Sequence, residues 1–391
     1  MEVTDAVAWP FAIGGSISER LEWLTDLLEP PYGPPQTRKL RQAPRTVFNF
    51  DGLESKASRR WMETLLAANR VGLWHVPLAI DTTEIGAAAA ISDEVLQVET
   101  AGRRFRAGGN ALLLGNTARE HEVVEIDTVE ADSITLAQPL ARAWRAGAML
   151  VPTIGARLTE APNLGRFTGE DAPYSIAFRA DEPLDWPGDL GATLYRDFPV
   201  IELPADWTND PGFRPERLVD TLDNSIGRVR LYDLAGVLRP EIRFPLTLVG
   251  RSSIGAFRSL LHGLCGRWQP AWVPSLGQDV AIKAVNTSTT LDVEWMGIHE
   301  WELQGNRRDI RIERRGAAPI YRRITAAVEV NASTERLQLD AALPGGFALA
   351  DVVAVSFMAL SLQDSDTNLL RLWDRDVVSS EVSFKGITHD F

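Results

Sequence analysis

The chain has 391 residues, of which 45% are hydrophobic, and a formal net charge of −13. The length points to two or three domains, and the apolar share argues against wholesale disorder. The acidic charge makes the whole chain a poor candidate for duplex DNA binding. The single cysteine, Cys265, excludes an intrachain disulfide framework and an all-cysteine metal site within one chain.

No targeting or membrane segment is expected from the sequence. The first residues carry acids where a signal peptide needs bases. The longest uncharged apolar run, residues 352–362, is far below the ~20 residues of a membrane helix. We therefore expect synthesis in the cytoplasm and no membrane insertion.

A proline-rich connector with a basic end precedes the first clear strand. Its prolines cluster at residues 29–35, and its basic residues are Arg38, Lys39, Arg41 and Arg45, with no acid among them. Proline keeps such a segment extended and low in conformational entropy. We predict an arm that leaves its own module and meets acids on an adjoining subunit. A solvated loop on its own domain is the alternative.

Each half of the chain contains a strand, an amphipathic helix and a second strand, in that order. Apolar residues alternate in the strands and recur at helical spacing between them. Trp61 and Phe257 lie 196 positions apart, and we expect loss of the Trp61 ring to cost about 3–5 kcal/mol. The segments are 43–50, 54–70 and 73–81 in the first half, and 239–250, 252–268 and 271–279 in the second.

Further pairs of similar segments occur in the same order in both halves. Residues 9–13 resemble 198–203, residues 134–140 resemble 337–343, and residues 174–181 resemble 381–387, so that the offset grows from 189 to about 206. Small insertions in the second copy of a duplicated module would give this drift. We predict a first copy over 1–185 and a second over 186–391.

The expected fold class is mainly β with a minor helical part. Each copy is predicted to begin with a β-sandwich bearing one helix, at about 1–90 and 186–285. Runs of short alternating strands with Gly, Asn and Asp turn signals follow. They predict a small antiparallel β-barrel at about 91–185 and 286–391.

No motif for catalysis, nucleotide binding or metal binding occurs. The five histidines lack paired spacing, and neither a phosphate-binding glycine loop nor a nucleophile elbow follows a strand. His262 and Cys265 are three apart on one helix, where a buried thiol beside a histidine is the ordinary arrangement. We predict no catalytic, cofactor-binding or metal-binding residues, and a protein that is not an enzyme.

Two acidic pairs would suit a glycosidase if their carboxylates faced each other. Asp51 and Glu54 lie where a helix begins, which capping and the helix dipole explain. Glu170 and Asp171 lie in a Gly/Pro-rich loop. The separation of the carboxylates, which decides the chemistry, cannot be obtained from sequence.

The connector carries a family resemblance. The order E-W-L-T-D, a turn, L-R-x-x-P-R and an aromatic strand in residues 22–50 resembles virion proteins of long non-contractile phage tails. The segment LWHVPL (73–78) and the FPV…DW opening of the second half (198–207) extend it. The chain is most similar to a tail-tip or distal-tail (baseplate) structural protein. Its motifs are loose and contain no catalytic signature.

The resemblance implies a ring in the virion, assembled in the host cytoplasm, between the tail tube and the receptor-binding parts. Tail-tube modules of this kind are β-sandwiches with one flanking helix. Expected partners are further copies of the chain (a hexamer, or a trimer with pseudo-sixfold symmetry), the tail tube protein, the tape measure and hub or baseplate proteins. DNA would pass through without specific binding. Because this chain carries the module twice, the resemblance is compatible with two places in the tail tip, the ring itself and the hub beneath it.

Two other functions stay open. A carbohydrate- or receptor-binding tail protein would present exposed aromatic residues beside carboxylates, and the chain has 12 tryptophans. A glycan-degrading tail enzyme is the other hypothesis.

Opposite charges occupy comparable places in the two predicted barrels. Residues 119–132 carry six acids and one base, whereas residues 307–324 carry seven arginines and two acids. Glu125 aligns with Arg323. Complementary faces set register and exclude wrong pairings, so we predict that one barrel faces the other, in the same chain or in the next copy.

Overall fold

The fold of the chain is mainly β, as expected. A computed structural model describes residues 6–11, 15–30, 33–203, 206–207, 210–234, 236–301 and 307–387. In these ranges 23 strands are joined by hydrogen bonds into one network, and three further strand pairs stand apart. Residues 12–13 of the first repeated segment and Pro31 and Tyr32 of the connector lie outside the described residues.

The first half contributes one long helix and fourteen strands in the described part. A short 3₁₀ turn at Ala79–Asp81 follows the sixth strand. The elements are β1 Val7–Ala8, β2 Ser16–Glu22, β3 Thr25–Leu28, β4 Gln36–Lys39, β5 Arg45–Ser55, α1 Lys56–Ala68, β6 Trp74–Pro77, β7 Thr83–Glu84, β8 Val95–Gln97, β9 Asn110–Leu114, β10 His121–Val129, β11 Ser133–Leu136, β12 Met149–Leu158, β13 Asn163–Leu164 and β14 Asp171–Ala180.

The second half has the same order of long elements. Its described elements are β15 Leu194–Tyr195, β16 Phe198–Pro199, β17 Gly212–Glu216, β18 Val219–Leu222, β19 Arg230–Asp233, β20 Arg239–Val249, α2 Arg251–Leu264, β21 Ala271–Pro274, β22 Ile282–Thr287, β23 Thr290–Glu294, α3 Ile298–Trp301, β24 Asp309–Arg314, β25 Ala317–Asn331, β26 Thr334–Leu339, β27 Val352–Gln363, β28 Thr367–Asp374 and β29 Val377–Gly386.

Both halves pair their long strands in the same way. Strand β5 runs antiparallel to β14, and β20 runs antiparallel to β29. The strand after each helix, β6 or β21, pairs with β12 or β27. Each of these strands also receives a short parallel partner from upstream, at β1 in the first half and at Val200 in the second.

The hydrogen bonds place the matched residues in a register different from the one expected from sequence. Phe48 lies opposite Phe178, while in the second half Ile242 lies opposite Phe384 and Phe244 lies opposite Val382, so Ile242 has the pairing most like that of Phe48. A strand slipped by two residues presents the same face, because side chains alternate with period two. Alternation alone therefore could not distinguish the two registers.

A second group of strands also recurs. Strands β8, β11, β10, β9 and β12 are neighbours in that order, and β23, β26, β25, β24 and β27 repeat it. In each set one long strand, β10 or β25, changes partner at an irregularity, between Ile126 and Thr128 or between Ile324 and Ala326. Each set encloses its own apolar core.

The two helices cover the same place in each half, but they are buried to different extents. In α1 the buried residues are Met62 and Leu66, whereas α2 buries six residues, including Phe257. Trp61 is only half-buried, where its ring contacts Phe11 and stacks on His121. We therefore expect the loss of Trp61 to cost less than the value for a fully buried aromatic ring.

One strand joins the halves. Strand β2 pairs with β5 on one side and with β28 of the second half on the other, over six residue pairs from Ile17–Leu372 to Glu22–Thr367. A continuous antiparallel sheet therefore crosses the chain, in the order β13, β14, β5, β2, β28, β29, β20 and β17.

Candidate assembly site

The proline-rich connector folds into the hairpin β3–β4, which lies on the second half of the same chain. Thr25 pairs with Lys39 at its base, and Pro34 and Pro35 fall in the loop between the strands, where no N–H is needed for pairing. Leu27 packs against a cluster that contains Trp272. Pro34 and Pro35 thus lie in a turn, and the described part of the connector does not form the extended arm expected from sequence.

The four basic residues predicted at a subunit interface divide into two groups. Lys39 donates to the Cys265 sulfur at 3.0 Å and lies 5.3 Å from the centre of the Trp268 ring. Arg41 donates to the main-chain oxygens of Glu22 and Trp23. These two residues therefore hold the hairpin in place, and the residues that remain for a partner are Arg38 and Arg45, both exposed.

Asp366, just before β28, fixes the base of the hairpin. Its side chain accepts from the Thr25 N–H at 2.7 Å and from the Arg267 N–H at 2.9 Å, and its main-chain oxygen accepts from the Trp23 N–H at 2.7 Å. One acidic residue thereby accepts from three backbone donors, two in the first half and one in the second, at the contact between the halves, which we call the joint.

His262 lies beneath the hairpin, with its ring 5.1 Å from that of Trp23. Burial lowers the pKa of His262 to about 4, and the attraction of Asp185 and Glu19 only partly opposes it; Arg104 and Arg258 lower the pKa further. The neutral imidazole is therefore the form that the joint accommodates.

We expect this histidine to make the joint sensitive to acid. The pKa of His262 is lower in the folded chain, about 4, than its ordinary value of 6.5. The folded state therefore has its full stability above about pH 6.5, and part of that stability is lost as the pH falls toward 4. His262→Phe keeps a ring at this position and removes the titration. Urea unfolding measures how much the free energy of unfolding decreases from pH 7 to pH 4.5. This decrease should be smaller for His262→Phe than for the unchanged chain, by about 2 kcal/mol, and equal decreases would contradict this role.

A buried group of charges lies at the same joint. Asp81, from the 3₁₀ turn, and Glu19, from β2, are both fully or almost fully buried. Arg104 bonds both carboxylates, at 2.5 Å to Asp81 and at 2.6 Å to each oxygen of Glu19. From α2, Arg258 donates to Asp81 at 2.7 Å and Arg251 at 3.1 Å. Five side chains from both halves thus form one ion network.

The network extends to the turn between β28 and β29. Arg251 lies 2.5 Å from an oxygen of Asp376, and Arg103 lies 3.6 Å from the same carboxylate. Burial alone would raise the pKa of Asp81, but the charges and hydrogen bonds of Arg104 and Arg258 outweigh it and lower the pKa to about 2. Sequence analysis missed these residues, since they are spread from position 19 to position 376 and follow no spacing rule.

Glu125 and Arg323 do occupy matching places, although they do not meet. Glu125 lies opposite Asn110, and Arg323 lies opposite Asp309 in the corresponding strand pair. Arg323 pairs with Asp309 at 2.8 Å, whereas Glu125 is exposed. Residues 119–132 and 307–324 are all described and form no ion pair with each other. Pairing within one chain does not hold, and pairing between neighbouring copies stays a prediction.

An exposed aromatic side chain borders a groove between the halves. Trp373 is 73% exposed at the end of β28, and its indole N–H donates to the Ser379 hydroxyl at 2.6 Å. The groove has a volume of about 580 Å³ and contains one ion pair, Arg375–Glu84 at 2.5 Å. The side chains there could hold a small polar ligand against an aromatic ring.

Over the described residues no group of three or more His, Cys, Asp or Glu side chains could hold a metal ion, and none of the described helices is long and apolar enough to span a bilayer. No protein-family model and no curated protein matches the chain.

Proposed function

We propose that this chain is a structural subunit of the tail tip of a long-tailed, non-contractile bacteriophage. It would form a ring that connects the tail tube to the hub and receptor-binding components. The chain would act through its surfaces, and the joint between its halves would be the template for contacts in the ring.

The proposal includes an internal duplication. The recurrence of pairings, from β5–β14 and β20–β29 to β9–β12 and β24–β27, supports two copies of one module. In each copy the strands nearest the helix would form a tail-tube-like β-sandwich, and the second group of strands a small barrel. The boundaries at about 90, 185 and 285 belong to this proposal.

The observation that carries the proposal is the way the two copies join. The first copy adds strand β2 and hairpin β3–β4 to the second copy, while among the described residues the second gives no matching strand to the first. Such a joint is head-to-tail, and head-to-tail contacts generate rings when their rotation closes. A module that already joins its own repeat in this way is suited to ring assembly.

The experiment is to delete the coding sequence from the phage or prophage that carries it. We expect particles with absent or unterminated tails in negative stain, with immunogold label against the chain at one tail end when a tagged copy is restored. Normal tails without the chain, or a chain absent from purified particles, would refute the proposal.

Reversing the exposed basic residues tests the predicted partner contact. Arg38→Glu with Arg45→Glu should leave thermal unfolding unchanged within about 0.5 kcal/mol, because both side chains are exposed. Incorporation into tails should fall. The matched control is Lys39→Glu, which should destabilise the isolated chain because Lys39 bonds Cys265 and lies near Trp268. Normal incorporation of the double variant would remove Arg38 and Arg45 from the interface.

Glycan or receptor binding is the second candidate, and Trp373 favours it. A protruding indole beside a groove with charged walls is a common sugar-binding arrangement, since aromatic rings stack on apolar sugar faces. Binding of host-surface glycans that is lost in Trp373→Ala would support it. Turnover of cell-wall or capsule polymers by the purified chain would favour an enzyme instead.

A further inference from the structure

The second half carries a close counterpart of the element that joins the two halves. Strands β2 and β5 are connected through hairpin β3–β4, and strands β17 and β20 are connected through hairpin β18–β19. The Leu40 N–H donates to the Leu24 oxygen, and the Leu234 N–H donates to the Leu218 oxygen, both 194 positions on. The two hairpins therefore correspond bond by bond.

Only the first of these elements is covered. Strand β2 lies between two strands, whereas β17 pairs within the described chain with β20 alone and leaves one edge open. The second hairpin and its strand carry a set of exposed apolar side chains, of which Ile226 is 96% exposed. The others are Phe213, Leu222, Val229, Leu231 and Tyr232. A cluster of this kind on a soluble protein marks an interaction surface.

The opposite end of the sheet offers the matching edge. Strand β13 corresponds to β28, because Leu164 pairs with Tyr174 as Leu370 pairs with Ser380, each 206 positions on. In the described chain β13 pairs with β14 alone. The turn that follows it carries Phe167, which is 79% exposed.

We propose that β17 of one copy pairs with β13 of a second copy, and that hairpin β18–β19 lies on the first half of that second copy. The contact repeats the joint inside the chain and deepens the proposed function, on which it rests, by naming the surfaces of the ring. The internal register, in which Glu19 lies opposite Leu370, places Phe213 opposite Leu164 of the neighbour.

The side chains at the corresponding positions suit such a contact. In the internal joint Glu29, beside the first hairpin, lies 3.6 Å from Arg239 of β20. At the corresponding positions the proposed contact would bring Asp223 of one copy close to Arg45 of the next. Arg45 is exposed, so the new contact would employ one of the basic residues that sequence analysis singled out.

The new contact differs from the internal joint in its chemistry. Glu19 is replaced by Phe213, so that an apolar pair stands where the ion network lies inside the chain.

The backbone groups available at the edge of β13 are few. The Gly165 N–H points inward to the Pro173 oxygen, so Leu164, one residue earlier, directs its backbone groups to the open edge. Pro215 and Pro162 would face each other two residues on and cannot donate. Few hydrogen bonds then form, and the hairpin side chains carry most of the contact.

Paired cysteines test the register. In Phe213→Cys with Leu164→Cys, the two Cα atoms of neighbouring copies would be about 5.5 Å apart, within the range of a disulfide. Within one chain these positions are seven strand steps apart in the sheet, roughly 33 Å. Oxidation of the full chain should therefore give covalent oligomers on a non-reducing gel, which reductant removes. Each single variant should stay monomeric on that gel.

The control is Val249→Cys with Leu164→Cys, a pair whose first partner is more exposed than Phe213 (65% against 46%) and which the proposed contact does not bring together. Cross-linking no better than in this control, with a monomer in sedimentation, would overturn the interface. If the chain still sits at the tail tip in that case, the proposed function survives without it. If oligomers cross-link but particles lack the chain, the interface survives and the proposed function fails.

Discussion

Replacing Asp81 with asparagine is expected to lower the free energy of unfolding by about 3–5 kcal/mol, because one partner of a buried ion network is lost. Asp81 is fully buried and pairs with Arg104, Arg251 and Arg258. Once the negative charge of Asp81 is removed, Glu19 would be the main carboxylate left to neutralise the buried arginines. Urea unfolding followed by far-UV circular dichroism measures the change.

The matched control is Glu182→Gln, which removes the partner of Arg106 from an exposed pair at 3.1 Å. This change should cost under about 1 kcal/mol, and an equal effect at Asp81 would contradict the assigned role of the network. The pH dependence follows from the lowered pKa of Asp81. Stability from its charge is present above the ordinary value of 3.8 and is lost as the pH falls toward about 2.

Phe178→Ala is expected to destabilise the chain by about 3–5 kcal/mol, the usual cost of emptying a large buried aromatic site. The Phe178 ring is fully buried, with the rings of Trp9, Phe50 and Trp74 within 6.0 Å. The corresponding change in the second half, Phe384→Ala, removes a ring that contacts Phe244. We expect it to cost about 3 kcal/mol, since fewer ring contacts are lost.

Phe167→Ala provides the control, since this ring is exposed and should change stability by less than about 0.5 kcal/mol in the isolated chain. Chemical unfolding of all three variants under one condition gives the comparison. If Phe384→Ala proved harmless while Phe178→Ala unfolded the chain, the two positions would not be equivalent in their packing.

Local patterns were sufficient to predict the long elements. Alternating apolar residues predicted the strands around Phe48 and Phe244, and helical spacing predicted the helices around Trp61 and Phe257. These signals depend on neighbours within one element, so a single sequence contains them. The coarse fold class, mainly β, followed from their number.

Long-range features were beyond such patterns. Whether Phe48 corresponds to Ile242 or to Phe244 is decided by the hydrogen bonds to Phe178 and Phe384. The connector was expected to be extended because its prolines were considered without the β3–β4 pairing that places them in a turn. The ion network around Asp81 joins residues more than two hundred positions apart, such as Glu19 and Arg258, and no local rule relates them.

Strand β2 has a consequence for the order of events during synthesis. Its partner β28 is about 350 residues further along the chain, as the Ile17–Leu372 pair shows. At about 5–20 residues per second, the ribosome needs roughly 20–70 s to make the intervening segment. Until then β2 has one open edge, which can pair with the same strand of another nascent chain. The joint between the halves closes last, so we expect slow folding, governed by a contact of very long sequence separation, and a yield that falls as expression rate rises.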